Sequence, residues 1–299
     1  MSSHKAREKL ATKRHKSRKS YACAFCACLW LFLVGPQSKP EEIVDVWPAG
    51  KMPGRAAAEP ETEKPSNDNF RRLTNISHPT LTVFSAARKN RPVPAMIVCP
   101  GGGYNYVVYD KEGTEIAVWL NSIGITALVL KYRVPQNREG ALQDLQRALS
   151  LARAHAAEWN IDAKRLGVMG FSAGGNVAAR ASTLFEHRTY PPIDSVDKQS
   201  CRPDFAVLVY PAYLEKDGQL TTDLNLKARI PPTLIISAED DKTYVASSKT
   251  YHAALDAANV PNELLLYPTG GHGFALRSDK DARVWPQAAV AWLRKLGIR

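Results

Sequence analysis

Cysteine is scarce and unevenly placed. Five occur in 299 residues, and three of them (Cys23, Cys26, Cys28) crowd into one short stretch. Cys99 and Cys201 remain, far apart in the chain. Two such residues make neither a disulfide framework nor a metal site. Cys99 closes an apolar run and reads as a buried small side chain, with a Cys99–Cys201 bridge as the lesser reading. Long hydrophobic runs are missing as well. The uncharged run Tyr21–Val34 falls short of the ~20 residues a membrane-spanning helix needs. Internal repeats are absent, which excludes solenoids and propellers. Neither G-x-x-x-x-G-K-[ST] nor G-x-G-x-x-G occurs at the glycine clusters, which excludes the usual phosphate-binding loops.

Positive charge is also sparse where a nucleic-acid-binding body would need it. The formal net charge is +11, yet residues 1–20 hold eight Lys/Arg against one acid. Seven of the eleven charges therefore sit in the first twenty residues, and the body is only mildly basic. A basic stretch followed by a short apolar run is the pattern of an export signal. Residues 1–38 are expected to form such a signal, with an uncleaved membrane anchor through 21–34 as the main rival and a nucleic-acid-binding tail as a lesser one. The region 33–39 would hold the cleavage site, although no clean A-x-A stands there. Cys28 lies inside the apolar run, which argues against a lipoprotein. Residues 39–69 are rich in Pro, Glu, Lys, Gly and Ala without hydrophobic period, and read as an arm or linker.

From about residue 70 the pattern changes, and 70–299 is expected to be the catalytic domain. Apolar runs of strand length recur at 81–84, 95–99, 125–132, 165–171, 205–210, 233–237 and 263–267. Most are continuous rather than alternating, as in strands buried on both faces of a parallel sheet. Helical segments fall between them at 115–122, 141–159, 176–185, 244–258 and 284–296. The second carries Leu142, Leu145, Leu149 and Ala152 at helical spacing. The alternation predicts an α/β fold, a mostly parallel doubly wound sheet with helices on both faces.

The chemistry gathers at strand ends. G-F-S-A-G, Gly170 to Gly174, joins a predicted strand to a predicted helix, the context of a nucleophile elbow. Side chains two positions either side of Ser172 would clash in so sharp a turn, hence glycine. A serine nucleophile needs a base. Of seven histidines, His272 stands in Y-P-T-G-G-H-G-F after the last strand, where glycines let the loop cross the sheet edge. The base needs an orienting carboxylate, and S-A-E-D-D-K-T after strand 233–237 offers Glu239, Asp240 and Asp241. Spacing to the next helix favours Asp241, with Asp240 the alternate. C-P-G-G-G-Y supplies Gly101 to Gly103, whose amides, with that of Ala173, suit a developing oxyanion.

C-P-G-G-G-Y, E-G-x-E-I-A-x-W-L, V-L-K-Y-R-V-P, G-F-S-A-G-G, A-E-D-D and Y-P-T-G-G-H-G-F together resemble the secreted bacterial α/β-hydrolases called acetyl esterases or acetylxylan esterases, whose relatives often carry the label xylanase. The resemblance runs from about residue 43 to the C-terminus. It implies Ser172 as nucleophile, Asp241 as acid, His272 as base, and Gly102, Gly103 and Ala173 as the oxyanion hole. It implies an acetylated carbohydrate or small ester as substrate, secretion or a periplasmic location, and no cofactor, metal or nucleic acid. Pro100 stands where wider esterases have histidine, which is a mark of the subgroup. Tyr106 replaces an expected small residue and would narrow the acyl pocket.

Three other readings compete. A prolyl-oligopeptidase-like serine peptidase shares the triad order but carries a propeller domain or an acidic pair for the substrate amine. A glycoside hydrolase needs two flanking carboxylates, and the one acidic cluster is already in use. A sugar-binding module needs exposed aromatics, whereas Trp47, Trp119, Trp159, Trp285 and Trp292 fall in the arm or on helix faces and are expected to pack inward. The polar stretches 186–204 and 213–229 leave open whether a lid covers the site.

Overall fold

The structure is a computed structural model that describes residues 40, 42–87 and 90–298. The basic stretch, the apolar run and Cys23, Cys26 and Cys28 lie outside the described residues. In chain order the strands are β1 (Glu42–Asp45), β2 (Thr62–Lys64), β3 (Arg72–Thr74), β4 (Thr80–Phe84), β5 (Val93–Cys99), β6 (Val107–Val108), β7 (Thr126–Lys131), β8 (Ile161–Phe171), β9 (Ala206–Val209), β10 (Glu215–Lys216), β11 (Gln219–Leu220), β12 (Thr233–Ala238) and β13 (Asn262–Tyr267). The helices are α1 (Glu115–Ser122), α2 (Arg138–Ala154), α3 (Ala173–Thr183), α4 (Val245–Ala257) and α5 (Trp285–Lys295).

Eight strands form the main sheet in the order β1-β4-β7-β5-β8-β9-β12-β13. β1, β4 and β7 pair antiparallel, and the rest are parallel. All seven runs predicted as strands are strands of this sheet. Their continuous hydrophobicity has the expected cause. In β5, Ala95, Ile97 and Cys99 join the core on one face, while Met96 and Val98 join the other. Leucines of α2 and Val177 of α3 cover the first face; Ile116 of α1 with Trp285 and Trp292 of α5 cover the second. Trp47, Trp159, Trp285 and Trp292 are buried, and Trp119 packs partly buried against the second cluster. Cys99 and Cys201 are buried free thiols, so no bridge joins them.

One expectation needs correction. Helix α2 starts earlier and ends at Ala154, five residues short of the predicted end, because His155–Asn160 must turn the chain into β8. Residues 39–69, expected to be an arm or a linker, carry two short strands. β1 adds an edge strand to the main sheet, and β2 joins β3 and β6 in a small sheet of its own.

One buried carboxylate fastens the arm. Asp144 on α2 accepts the Trp47 indole N–H (2.7 Å), the Arg133 amide (2.9 Å) and the Arg133 guanidinium (3.0 Å). Arg147 donates to the Val46 carbonyl, and Arg133 to that of Pro53. Arg133 is only 1% exposed. Asp144→Ala would leave that guanidinium without its counter-ion, and breaking such a buried pair costs about 3–5 kcal/mol. We expect a urea midpoint lowered accordingly; an unchanged midpoint would remove the clamp from the account.

Candidate active site

The C-terminal ends of β5, β8, β9, β12 and β13 deliver the site, as open parallel sheets do. β8 ends at Phe171, and α3 begins at Ala173. Ser172, between them, has φ 51° and ψ −118°. A non-glycine residue there costs about 1–3 kcal/mol and persists only when its surroundings hold it. Here the Ser172 amide donates to the Val209 carbonyl (3.1 Å), and the Ala212 and Asn176 amides donate to the Ser172 carbonyl. Glycine is required on either side by close approach. A Cβ on Gly174 would sit 2.0 Å from the Cys99 carbonyl oxygen, and one on Gly170 would sit 2.3 Å from that of Gly174.

The hydroxyl points at the histidine loop. Ser172 Oγ lies 2.8 Å from His272 Nε2, and His272 Nδ1 lies 2.7 Å from Asp241 Oδ2. Asp241 is buried, and its other oxygen accepts the Tyr244 amide (3.1 Å). A carboxylate at Nδ1 fixes the proton there, so Nε2 is left to accept from the serine hydroxyl. The order Ser, Asp, His along the chain thus closes into one hydrogen-bonded line.

Asp240, the alternate acid, holds the loop rather than the ring. Its Oδ1 accepts the amides of Gly271 (2.7 Å) and Gly270 (2.9 Å). Those amides hold its carboxyl below the ordinary range. Glu239 is exposed and pairs with Lys249. Gly102 and Gly103 line the cleft beside Ser172, and Ala173 opens α3. Among the described residues no acceptor is found for the amides of Gly102, Gly103 or Ala173, which is what donors awaiting an oxyanion require.

The cleft holds about 350 Å³. The end of the arm and the start of β3 supply one wall, through Asp68, Phe70 and Arg72. Arg72 pairs with Asp68 and lies over Tyr106, so Tyr106 belongs to this wall. Of the two stretches considered as lids, only Tyr213 of 213–229 lines the cleft, and no residue of 186–204 does. The latter is held on α2, through Arg147 to Asp194 and Asp197. Sequence reading missed Tyr213 and Tyr244. The Tyr244 ring lies 4.8 Å from that of His272, and its hydroxyl donates to that of Tyr213 (3.4 Å). Nothing in their local sequence marks them, since only the fold brings their loops together.

Known proteins share this arrangement of chain. A family model described as BD-FAE matches residues 81–208. The structure superposes on the crystal structure of an acetyl ester-xyloside bifunctional hydrolase from Caldicellulosiruptor lactoaceticus, with TM-score 0.73 and 30% identity, covering 88% of this chain and 99% of that one. The chain belongs to the acetylxylan esterase-like α/β-hydrolases. An acetylxylan esterase of Xylanibacter ruminicola is 31% identical over 207 residues, which are 60% of this chain and 41% of that protein. Endo-1,4-beta-xylanase B of Butyrivibrio fibrisolvens is 31% identical over 217 residues, 64% of this chain and 34% of that protein. This α/β-hydrolase chain therefore spans less than half the length of either curated relative.

Proposed function

We propose that the protein is a serine carboxylic-ester hydrolase that removes acetyl groups from carbohydrates such as xylan. The observation that carries this reading is the Ser172–His272–Asp241 line at 2.8 and 2.7 Å beside free amides. In this mechanism Ser172 Oγ attacks the ester carbonyl as its proton passes to His272 Nε2. Asp241 stabilises the imidazolium. The amides of Gly102, Gly103 and Ala173 receive the oxyanion. The tetrahedral adduct collapses, the alkoxide leaves with the proton from His272, and the acetyl group remains on Ser172. Water, deprotonated by the same imidazole, then releases acetate and restores the hydroxyl.

The names of the relatives support acetylated xylan as the substrate, and an open cleft that sets aromatic rings beside Asp68, Arg72, Asn105 and Lys111 suits a sugar better than a long acyl chain. A xyloside activity, named for the Caldicellulosiruptor protein, would need two working carboxylates. The two that line the cleft are both engaged: Asp68 by Arg72, and Glu112 by Gly101 and Tyr210. Export through residues 1–38 suits a polymeric substrate outside the cell, and rests on the basic stretch followed by the apolar run.

The test is to incubate the protein with acetylated xylan and with p-nitrophenyl acetate, then map fluorophosphonate labelling by peptide mass. Acetate release with the label on Ser172 is expected. Labelling elsewhere, or reducing sugar without acetate, would overturn the assignment.

A further inference from the structure

One fully packed carboxyl at the site has no part in the steps above. Glu112 lies in a π-helical turn, Asp110–Thr114, just before α1, and is 4% exposed. Each of its oxygens takes one hydrogen bond. Oε2 accepts the Gly101 amide (2.7 Å), and Oε1 accepts the Tyr210 hydroxyl (2.8 Å). The Tyr210 hydroxyl in turn accepts the Ala275 amide (3.1 Å). Tyr210 follows β9 and is completely buried, and its ring stands 4.9 Å from that of His272, edge-on at 62°.

These bonds tie together the two loops that must agree for acyl transfer. Gly101 precedes the oxyanion glycines and touches the nucleophile: a Cβ on it would fall 2.9 Å from Ser172 Cβ. Ala275 belongs to the loop that carries His272, three residues beyond it, and is held from its other side by the Trp285 indole donating to its carbonyl (2.6 Å). We infer that Glu112, through Tyr210, is a positioning residue that sets the oxyanion loop and the histidine loop in register around Ser172. This rests on the esterase reading and adds a member to that site.

Counting donors shows why the residue must be a carboxylate. Gly101 and Tyr210 both donate to it, so both its oxygens must accept. Burial pushes the Glu112 carboxyl up, while Tyr210 and Gly101 pull it back. A glutamine of the same shape offers one acceptor and one NH2. With its oxygen toward Gly101, the NH2 faces the Tyr210 hydroxyl, which already accepts from Ala275, and the tyrosine proton loses its partner. With the amide turned over, NH2 faces the Gly101 N–H, donor against donor. Either way one buried donor loses its acceptor, the tyrosine proton in the first orientation and the Gly101 amide in the second, and the connection between the two loops is weakened.

The experiment uses the full chain as wild type, Glu112→Gln, Tyr210→Phe and the double variant. Active sites are counted by fluorophosphonate titration, and kcat per titrated serine and KM are measured with p-nitrophenyl acetate. We expect kcat per site to fall about 10²-fold in Glu112→Gln and about tenfold in Tyr210→Phe, with KM within threefold of wild type. The double variant should be no slower than Glu112→Gln, because both break one connection. A merely structural role would lower the titrated fraction and the Tm but leave kcat per site unchanged. If Glu112→Gln does not fold, Tyr210→Phe decides alone, since it deletes a single hydroxyl in place. Unchanged kcat per site in the folded variants, or losses that multiply in the double variant, would overturn the inference. A wild-type protein that neither titrates nor hydrolyses the ester would instead sink the esterase reading.

Discussion

Replacing Ser172 by alanine is expected to lower kcat/KM for p-nitrophenyl acetate by about 10⁴–10⁶-fold. The loss follows from what the hydroxyl touches. Its oxygen lies 2.8 Å from His272 Nε2, and that ring nitrogen has no other hydrogen-bonding partner among the described residues. Without the hydroxyl, the imidazole can only activate water in place of a held nucleophile, and the acyl-enzyme route closes. The free amides of Gly102, Gly103 and Ala173 survive the substitution, so a small residual rate over background should remain. The fold should be unharmed, because alanine keeps the backbone bonds to Val209, Ala212 and Asn176 that hold the strained turn. The check is a steady-state assay beside a thermal melt. Activity within tenfold of wild type, with the melt unchanged, would remove Ser172 as nucleophile.

The second large effect separates two neighbours. Asp241→Asn is expected to reduce kcat by about 10⁴-fold. An asparagine can present its NH2 to Nδ1, which moves the ring proton to Nε2, where it faces the serine as a donor and cannot take a proton. Asp240→Asn should cost less than about tenfold. Its amide oxygen can still accept from Gly270 and Gly271, which both bond to one oxygen of the aspartate. The same pair separates by pH. The Gly271 and Gly270 amides lower the Asp240 pKa in the folded state. A carboxyl with a depressed folded pKa contributes fully above its unfolded value, and its contribution is lost only as pH falls through the lower, folded one. Loop anchoring by Asp240 therefore persists through mildly acid pH, and an acid limb nearer neutrality must come from another group. Equal losses in the two variants would refute the division of labour.

Much of this site is legible along the chain because its parts are local. The glycines at 170 and 174 announce a turn that no side chain could enter, and the structure identifies the obstacles as the carbonyls of Gly174 and Cys99. The acidic cluster is equally plain, but its members look alike in sequence. Their roles depend on which carboxylate reaches the ring and which reaches the loop amides, a matter of a few ångströms set by the end of β12. The arm misleads for a related reason. Its strands are three and four residues long and largely exposed, so they carry no hydrophobic period, and they exist only because a sheet edge and Asp144 receive them.

The sequence by itself determined the α/β alternation, the strands buried on both faces, and the elbow serine with a histidine and an acid at later strand ends. Each of these is written in a short run of residues whose spacing or size tolerates one conformation. Tertiary structure turned a preference for Asp241 over Asp240 into a contact with the imidazole, and alone decided that residues 68–72 wall the cleft and that Glu112 and Tyr210 bridge two loops far apart in the chain. Those facts are contacts between distant segments, and a contact of that kind leaves no period or motif in either segment until packing brings the two together.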